Sequence, residues 1–428
     1  MLHIYLVTVL NHMITVIGGG PAGIYASIEA AKRGAKVTLI EREDRLGGTC
    51  TLYGCIPTKS MLYPLNIRNS IDKIGGSASI STDTLQQLAK GSIERLSKGI
   101  ESILESMDIN VVHGKGFLRS GKVNINNESV DSDAVIITTG TERKREEGLI
   151  YSEDLHEVDL SFRSIGIIGG DVGGLESAWM LKELGKEVYL IDRSPFLLSY
   201  LDNDMRSSIT NFFKKIGIKV ILNTEVKEIA KKGESFSLSL SDGSTISVER
   251  VLKSFGRYPA TEGIDLPKER YIKVDDYLRT GVNNIYAAGD VIGTHTAHSA
   301  IHAGKIAGSN ATGSKLLFNR EAIPHVVYTK PEIAYTGIME GNCVKLQAAS
   351  NGREIIERET QGFLKLCSSN DRLISAEAFM EGAEYVISIA SLMIRMHLTL
   401  PQLMDFIPPH PSTFELLKDG IELLANKK

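Results

Sequence analysis

Two cysteines, Cys50 and Cys55, stand with four residues between them in the run Gly47-Gly48-Thr49-Cys50-Thr51-Leu52-Tyr53-Gly54-Cys55-Ile56-Pro57-Thr58-Lys59. A glycine-rich stretch, Gly18-Gly19-Gly20-Pro21-Ala22-Gly23, precedes them by about the length of one strand–helix–strand unit. A cysteine pair beside a dinucleotide-type turn points to a redox disulfide that a bound cofactor can reach. Zinc binding is the competing use of two cysteines. No second ligand pair stands at metal spacing, so no metal site is expected. Cys343 and Cys367 stand apart and read as small buried hydrophobes.

The elements that must hold the first turn are legible around it. Met13-Ile14-Thr15-Val16-Ile17 is a β-branched run ending in glycines, followed by a helical stretch from Ile24 to Arg33 and a stop at Gly34. A second strand from Lys36 to Ile40 is closed by Glu41. Gly18 permits the tight turn, Gly20 lets backbone approach a pyrophosphate, and Gly23 lets the helix pack closely on the strand. Glu41 is placed to accept hydrogen bonds from a ribose hydroxyl. The unit recurs: a strand from Ser164 to Ile168, the turn Gly169-Gly170-Asp171-Val172-Gly173-Gly174, a helix to Leu184, and a strand from Glu187 to Ile191 ending at Asp192. Two units imply two nucleotide sites, or one site and a degenerate copy.

The remaining chain divides in two. Strand-like alternation from Phe236 to Ile246, the segment Val251 to Pro259, and a strand ending in Ala288-Gly289-Asp290 continue the α/β pattern. From about Arg320, strand-like runs precede helical stretches at Ala383 to Met396 and Leu400 to Asp405, which suggests an α+β domain. A chain of 428 residues is too long for one core. Its formal charge of -4 argues against a nucleic-acid surface, and no stretch is long and apolar enough to span a bilayer. Residues 1–10 are apolar but lack a basic region and a cleavage site, so no cleaved signal is expected, and the natural start is either Met1 or Met13. Four cysteines in so long a chain make no secreted disulfide framework, and a cytoplasmic protein is expected.

In order, these motifs resemble the class I pyridine nucleotide-disulfide oxidoreductases from Met13 to about Glu415. The run Gly-Cys-Ile-Pro-Thr-Lys at residues 54–59 reads most like the dihydrolipoamide dehydrogenases of that family, and Glu422 to Lys428 lacks the cysteines of mercuric reductase. The resemblance implies that the first unit holds FAD through Gly18, Gly20, Gly23 and Glu41, with Gly48, Thr49 and Lys59 nearby. It further implies that Gly116 meets the adenine, Thr139 and Gly140 lie by the pyrophosphate, Asp290 takes the ribityl chain, and Ala297 opens a helix aimed at the flavin. Lys59 and Glu176 match a pair that meets beside the flavin ring. By the same resemblance Cys55 exchanges electrons with the flavin and Cys50 forms a mixed disulfide with substrate. His410, oriented by Glu415, would act as acid and base on Cys50 of the other subunit of a homodimer.

The second turn departs from the pattern. With Glu176 fixing the register it reads Gly169-x-Asp171-x-x-Gly174, with an aspartate where backbone and phosphate approach most closely, and no shift restores all three glycines. At about 4 Å and an effective dielectric near 20, its repulsion of a phosphate is on the order of 4 kcal/mol unless the side chain turns away. Val172 stands where several relatives carry a gating tyrosine. If a dinucleotide binds, Gly169, Gly174, Asp192 and Gly256 would hold it, and Asp192 favours NAD over NADP, against the adjacent Arg193. Pro408-Pro409 precedes His410 where relatives often have His-Ala, and the connection after Gly140 is short.

The expected architecture is therefore α/β, with two Rossmann-like dinucleotide-binding domains and a C-terminal α+β dimerisation domain. The expected boundaries are 13–150 (FAD-binding, with the redox disulfide), 151–272 (NAD(P)-binding-like), 273–318 (FAD-binding, second part) and 319–428 (dimerisation). Three functional readings remain. The first is an enzyme passing electrons between a small dithiol, dihydrolipoamide first, or a lipoyl-bearing protein, and NAD. The second is a flavoprotein disulfide reductase with a degraded nicotinamide site and another carrier. The third is a scaffold that keeps FAD for structure.

Overall fold

The computed structural model describes residues 12–125 and 128–427. The readings of residues 1–10, and with them the choice of start, lie outside the described residues.

The first compact unit is formed by the chain up to Pro57, with Gln87–Arg145 and Gly256–Asn319. Its centre is a five-stranded sheet in the order Ile285–Ala287, Ala134–Ile137, Met13–Ile17, Lys36–Glu41, Asn110–His113. Every pairing is parallel. Such strands are buried on both faces, which is why they read as apolar runs: Val16, Leu39 and Ile136 expose no surface. The last strand to join, Ile285–Ala287, pairs with Ala134–Ile137 some 150 residues earlier, with Ile285 opposite Val135. The chain thus leaves this unit, builds another and returns. Helices Pro21–Lys32 and Ala297–Ala311 pack at backbone distance, because a Cβ on Gly304 would stand 2.2 Å from the Ala22 carbonyl oxygen.

The second compact unit comprises Thr58–Gln86, Glu146–Phe255 and the chain from Arg320 onward. It contains another parallel sheet, ordered Lys219–Ile221, Glu187–Ile191, Ser164–Ile168, Arg250–Lys253, Ile150–Tyr151. An antiparallel meander, Val226–Lys232, Ser235–Leu240 and Thr245–Val248, covers it. Its C-terminal part is an antiparallel sheet in the order His325–Val327, Glu332–Gly337, Arg372–Met380, Phe363–Ser369, Asn342–Gln347. Helices Ala383–Arg395 and Phe414–Asn426 bury apolar faces in the core of that sheet. Two Rossmann-type sheets and a C-terminal α+β fold are the architecture expected from the sequence.

One expectation is corrected. Cys343 and Cys367 do not stand alone: they are disulfide-bonded, with Cα atoms 4.1 Å apart. The cause is register, since Cys343 on Asn342–Gln347 lies directly opposite Cys367 on Phe363–Ser369.

Candidate active site

The first glycine turn is built from constraints that only glycine meets. Gly18 has φ +111°, and a Cβ there would lie 2.4 Å from the Thr138 carbonyl oxygen. A Cβ on Gly23 would lie 1.8 Å from the Gly18 carbonyl oxygen, so any larger residue would push the helix off the strand. Gly20, extended at φ −79° and ψ −176°, caps helix Pro21–Lys32 and faces Gly48, whose own Cβ would come within 2.6 Å of the Gly20 Cα. Glu41 is buried at the end of its strand. Its Oε2 accepts from Gly19 N at 2.5 Å and its Oε1 from Glu43 N at 2.9 Å.

Other expected residues gather in the same unit. Thr138 Oγ1 donates to the Ile17 and Gly18 carbonyl oxygens, and the buried Thr139 Oγ1 beside it has no partner among the described residues. Gly140 follows at φ +69°. Gly116 begins strand Gly116–Arg119 over Ile17 and Ile40. Asp290 opens the turn Asp290–Ile292 and accepts from Thr294 Oγ1 at 3.0 Å, and Ala297 is the first residue of helix Ala297–Ala311, capped by Thr296. A bare backbone cradle at a helix N-terminus, a buried carboxylate and an orphaned buried hydroxyl fit the polar groups of FAD.

Cys50 lies in the short helix Gly48–Leu52, and Cys55 is the first residue of helix Cys55–Lys73. The turn between them is closed by hydrogen bonds from Tyr53 N and Gly54 N to the Thr49 carbonyl oxygen, at 3.1 and 2.6 Å. Arg257, next to Gly256 (φ +96°), donates to Thr49 Oγ1 at 3.0 Å and to the Thr141 carbonyl oxygen at 2.8 Å, so it fixes the residue before Cys50. One turn beyond Cys55, Lys59 Nζ donates to both oxygens of Glu176 at 2.8 and 2.7 Å. Glu176 is buried, and its Oε1 also accepts from Tyr328 N at 3.0 Å. The Tyr328 ring lies 5.0 Å from Lys59 Nζ. A charge buried this far needs both partners.

His410 Nδ1 is 2.9 Å from Glu415 Oε1, and Ser412 N donates to Glu415 Oε2 at 2.9 Å. The His410 hydrogen bond, then that of Ser412, hold the Glu415 carboxyl below the usual carboxylate range. An ionised carboxylate only accepts, so Nδ1 carries the proton and Nε2 of the neutral ring is left to take one. The His410 side chain is 80% exposed, which leaves Nε2 open to an incoming thiol.

The second turn repeats the first bond for bond. Gly169 has φ +110°, and a Cβ on Gly174 would lie 1.9 Å from the Gly169 carbonyl oxygen. Gly170 N donates to Asp192 Oδ2 at 2.5 Å and Ser194 N to Asp192 Oδ1 at 2.7 Å. Ser254 Oγ donates to the Ile168 and Gly169 carbonyl oxygens, as Thr138 does in the first turn. Asp171 keeps an extended backbone, φ −95° and ψ −177°, but its Oδ1 folds onto its own helix and accepts from Val172 N and from the Tyr200 hydroxyl, each at 3.1 Å.

The first unit carries a flavin-type nucleotide cradle and the cysteine pair, and the second carries the Lys59–Glu176 pair and the His410–Glu415 dyad; these are the groups of a flavin-dependent thiol–disulfide enzyme. Residues 12–304 match the family described as pyridine nucleotide-disulphide oxidoreductase, and residues 323–420 match its dimerisation domain. The chain belongs to this family and is, like its relatives, a flavin-dependent oxidoreductase. It is 32% identical to dihydrolipoyl dehydrogenase of Chlamydia muridarum, with 96% of each chain covered. It is 27% identical to dihydrolipoyl dehydrogenase of Bacillus subtilis, with 95% of this chain and 97% of the other covered. Among solved structures it is similar to the HOCl-induced flavoprotein disulfide reductase RclA of Escherichia coli, at TM-score 0.86 and 25% identity over 96% of this chain and 100% of the other. Its fold also matches LpdA of Mycobacterium tuberculosis, at TM-score 0.89 and 24% identity over 96% and 99% of the two chains. Among the described residues no helix is long and apolar enough to cross a membrane.

Residues that sequence reasoning missed are those joined by tertiary packing: Tyr200 on Asp171, Tyr328 on Glu176 and Lys59, and Arg257 on Thr49. Only Arg257 carried a signal, as the neighbour of Gly256 in a recognised segment.

Proposed function

We propose that this chain is a cytoplasmic, homodimeric, FAD-dependent dithiol/disulfide oxidoreductase whose substrate is a small dithiol of the dihydrolipoamide class, free or on a lipoyl-bearing protein. The observation that carries the reading is the Lys59–Glu176 pair, held one turn after Cys55 on the same helix. FAD is held by Gly18, Gly20, Gly23 and Glu41, with Gly48, Thr49, Gly116, Thr139, Gly140, Asp290 and Ala297 along its length. Bound there, FAD supplies a two-electron store for the cysteine pair.

The dithiol half-reaction uses the chain's own groups. A substrate thiolate attacks Cys50 Sγ of the Cys50–Cys55 disulfide; that S–S bond breaks, and Cys55 leaves as a thiolate at a helix N-terminus, which favours negative charge. The second substrate thiol gives its proton to Nε2 of His410 of the partner subunit, while Glu415 stabilises the imidazolium. The new thiolate attacks the substrate sulfur of the mixed disulfide. The substrate departs as a disulfide, and Cys50 is released as a thiolate.

Asp171 favours a specific second reading for the other half. Its carboxylate sits on the helix N-terminus where a dinucleotide phosphate would sit, so NAD is a poor partner and another electron carrier serves the flavin. Anaerobic titration of the flavin absorbance separates the readings. Rapid bleaching by NADH supports NAD as partner, bleaching by dihydrolipoamide alone supports the second reading, and a flavin inert to both contradicts each of them. Cys50→Ser and Cys55→Ser are each expected to abolish dithiol turnover while FAD stays bound, and turnover surviving either change would contradict the proposed exchange.

A further inference from the structure

The loop that presents His410 is fastened to a short helix, Gly352–Glu357, that no part of the proposed chemistry uses. Thr413 Oγ1 donates to Glu354 Oε1 at 2.7 Å, and Asn351 Nδ2 donates to the Ser412 carbonyl oxygen at 3.1 Å. Asn351 is itself held, because its Oδ1 caps that helix through Arg353 N and Glu354 N. Ser412 also donates its N–H to Glu415, which orients the His410 ring. The clamp is thus two bonds from the imidazole.

Glu354 has no exposed surface, and its Oε2 has no hydrogen-bond partner among the described residues. The charged groups around it are Glu357 on the same helix, Glu359 just beyond it, and Glu381. The nearby cations are engaged with those acids: Lys330 with Glu359 at 3.2 Å and Glu381 at 2.9 Å, Lys73 with Glu359 at 2.5 Å, and Arg353 with Glu357.

We propose that Glu354, held as a neutral acid, is a positioning residue that seats the His410 loop, and that its ionisation unseats it. The inference rests on the reading of His410 as the proton acceptor. In the neutral form the proton sits on Oε2, and Oε1 remains free to accept from Thr413. In the ionised form a dry carboxylate has one hydrogen bond and three acids beside it, and movement of the loop toward water is the relief. Burial, then the hydrogen bond from Thr413 in the opposite sense, then the three carboxylates leave the Glu354 carboxyl pushed up to about 7.

The sign follows. A raised carboxyl stabilises the folded, seated state fully only below the unfolded value of 4.5; that contribution is lost as pH rises from 4.5 through about 7 and is gone above it. Glu354→Gln keeps the acceptor for Thr413 and cannot ionise. Thr413→Val removes the donor.

The test is stopped-flow reduction of the FAD-loaded dimer by dihydrolipoamide from pH 5.5 to 8.5, with melting temperature followed over the same range. The parent is expected to lose rate through an ionisation near neutrality that Glu354→Gln lacks, and the variant's advantage in melting temperature should grow as pH rises toward 7 and level off above it. Thr413→Val should be slower than the parent by about tenfold, or 1.4 kcal/mol, below neutrality, and the two should converge above it, where the parent's loop is itself unseated. Glu332 and Glu377, also pushed up to about 7, are present in all variants and so cancel in the comparison. If His410→Ala is slow but Thr413→Val and Glu354→Gln both follow the parent profile, the proposal is overturned and the reading of His410 stands. If His410→Ala matches the parent, that reading fails and the proposal falls with it.

Discussion

The two glycine turns of this protein share their backbone, and one side chain sets them apart at the helix N-terminus. In each, a glycine of positive φ abuts a neighbouring segment (the Thr138 carbonyl for Gly18, the Ser254 hydroxyl for Gly169), a third glycine lets the helix touch the strand, and an acid closing the second strand takes two backbone N–H groups. The middle position separates them. Gly20 leaves the helix N-terminus bare and faced by the Gly48 backbone, whereas Asp171 fills the equivalent place with a carboxylate bonded to Val172 N and Tyr200. A helix N-terminus attracts one anion at a time, and here the second turn supplies its own. The backbone of a nucleotide site is kept at both turns, while the helix N-terminus is free of a side-chain cap at one.

Moving that difference to the first turn should have the largest effect. Gly20→Asp places a negative charge at the helix N-terminus, where the pyrophosphate is expected, and should weaken FAD binding by on the order of a thousandfold. The check is the flavin-to-protein absorbance ratio of the purified variant, and a full complement of FAD would break the comparison. Adding a Cβ at the shared glycines sharpens it. Gly23→Ala and Gly174→Ala each force a carbon to less than 2 Å from a carbonyl oxygen, so each helix must shift, at a cost of about 1–3 kcal/mol. Chemical denaturation should find both destabilised, with FAD lost only by Gly23→Ala. The smallest effect is expected from Tyr200→Phe, which removes one hydrogen bond from Asp171 and leaves the carboxylate on its helix. NAD affinity should move by no more than about threefold, measured by calorimetry.

What was legible in the sequence follows the same line. The turns at Gly18 and Gly169 and the acids Glu41 and Asp192 rest on glycines and charges whose types betray their use, whereas the pairing of Lys59 with Glu176 came from the family resemblance, since by type alone each reads as a surface charge. The disulfide between Cys343 and Cys367 was hidden because Asn342–Gln347 is a weakly buried edge strand with little alternation, and pairing across strands is a tertiary fact. Helix Phe414–Asn426 lies beyond the helical stretches expected from the sequence and contains Gly420. In the fold that glycine permits close packing, since a Cβ there would meet Leu366 at 2.5 Å. Tyr200, Tyr328 and Glu354 carry no motif, and their roles appear only when distant segments pack against Asp171, Glu176 and Thr413.

Calorimetric titration of NAD into the oxidised, FAD-loaded dimer, parent against Asp171→Gly, tests the contrast between the turns most directly. Asp171 occupying the helix N-terminus predicts weak binding by the parent and a gain of about tenfold or more in the variant, worth about 1.4 kcal/mol, with FAD content and reduction by dihydrolipoamide unchanged. Low-micromolar binding by the parent, with no gain on removing the carboxylate, would contradict it.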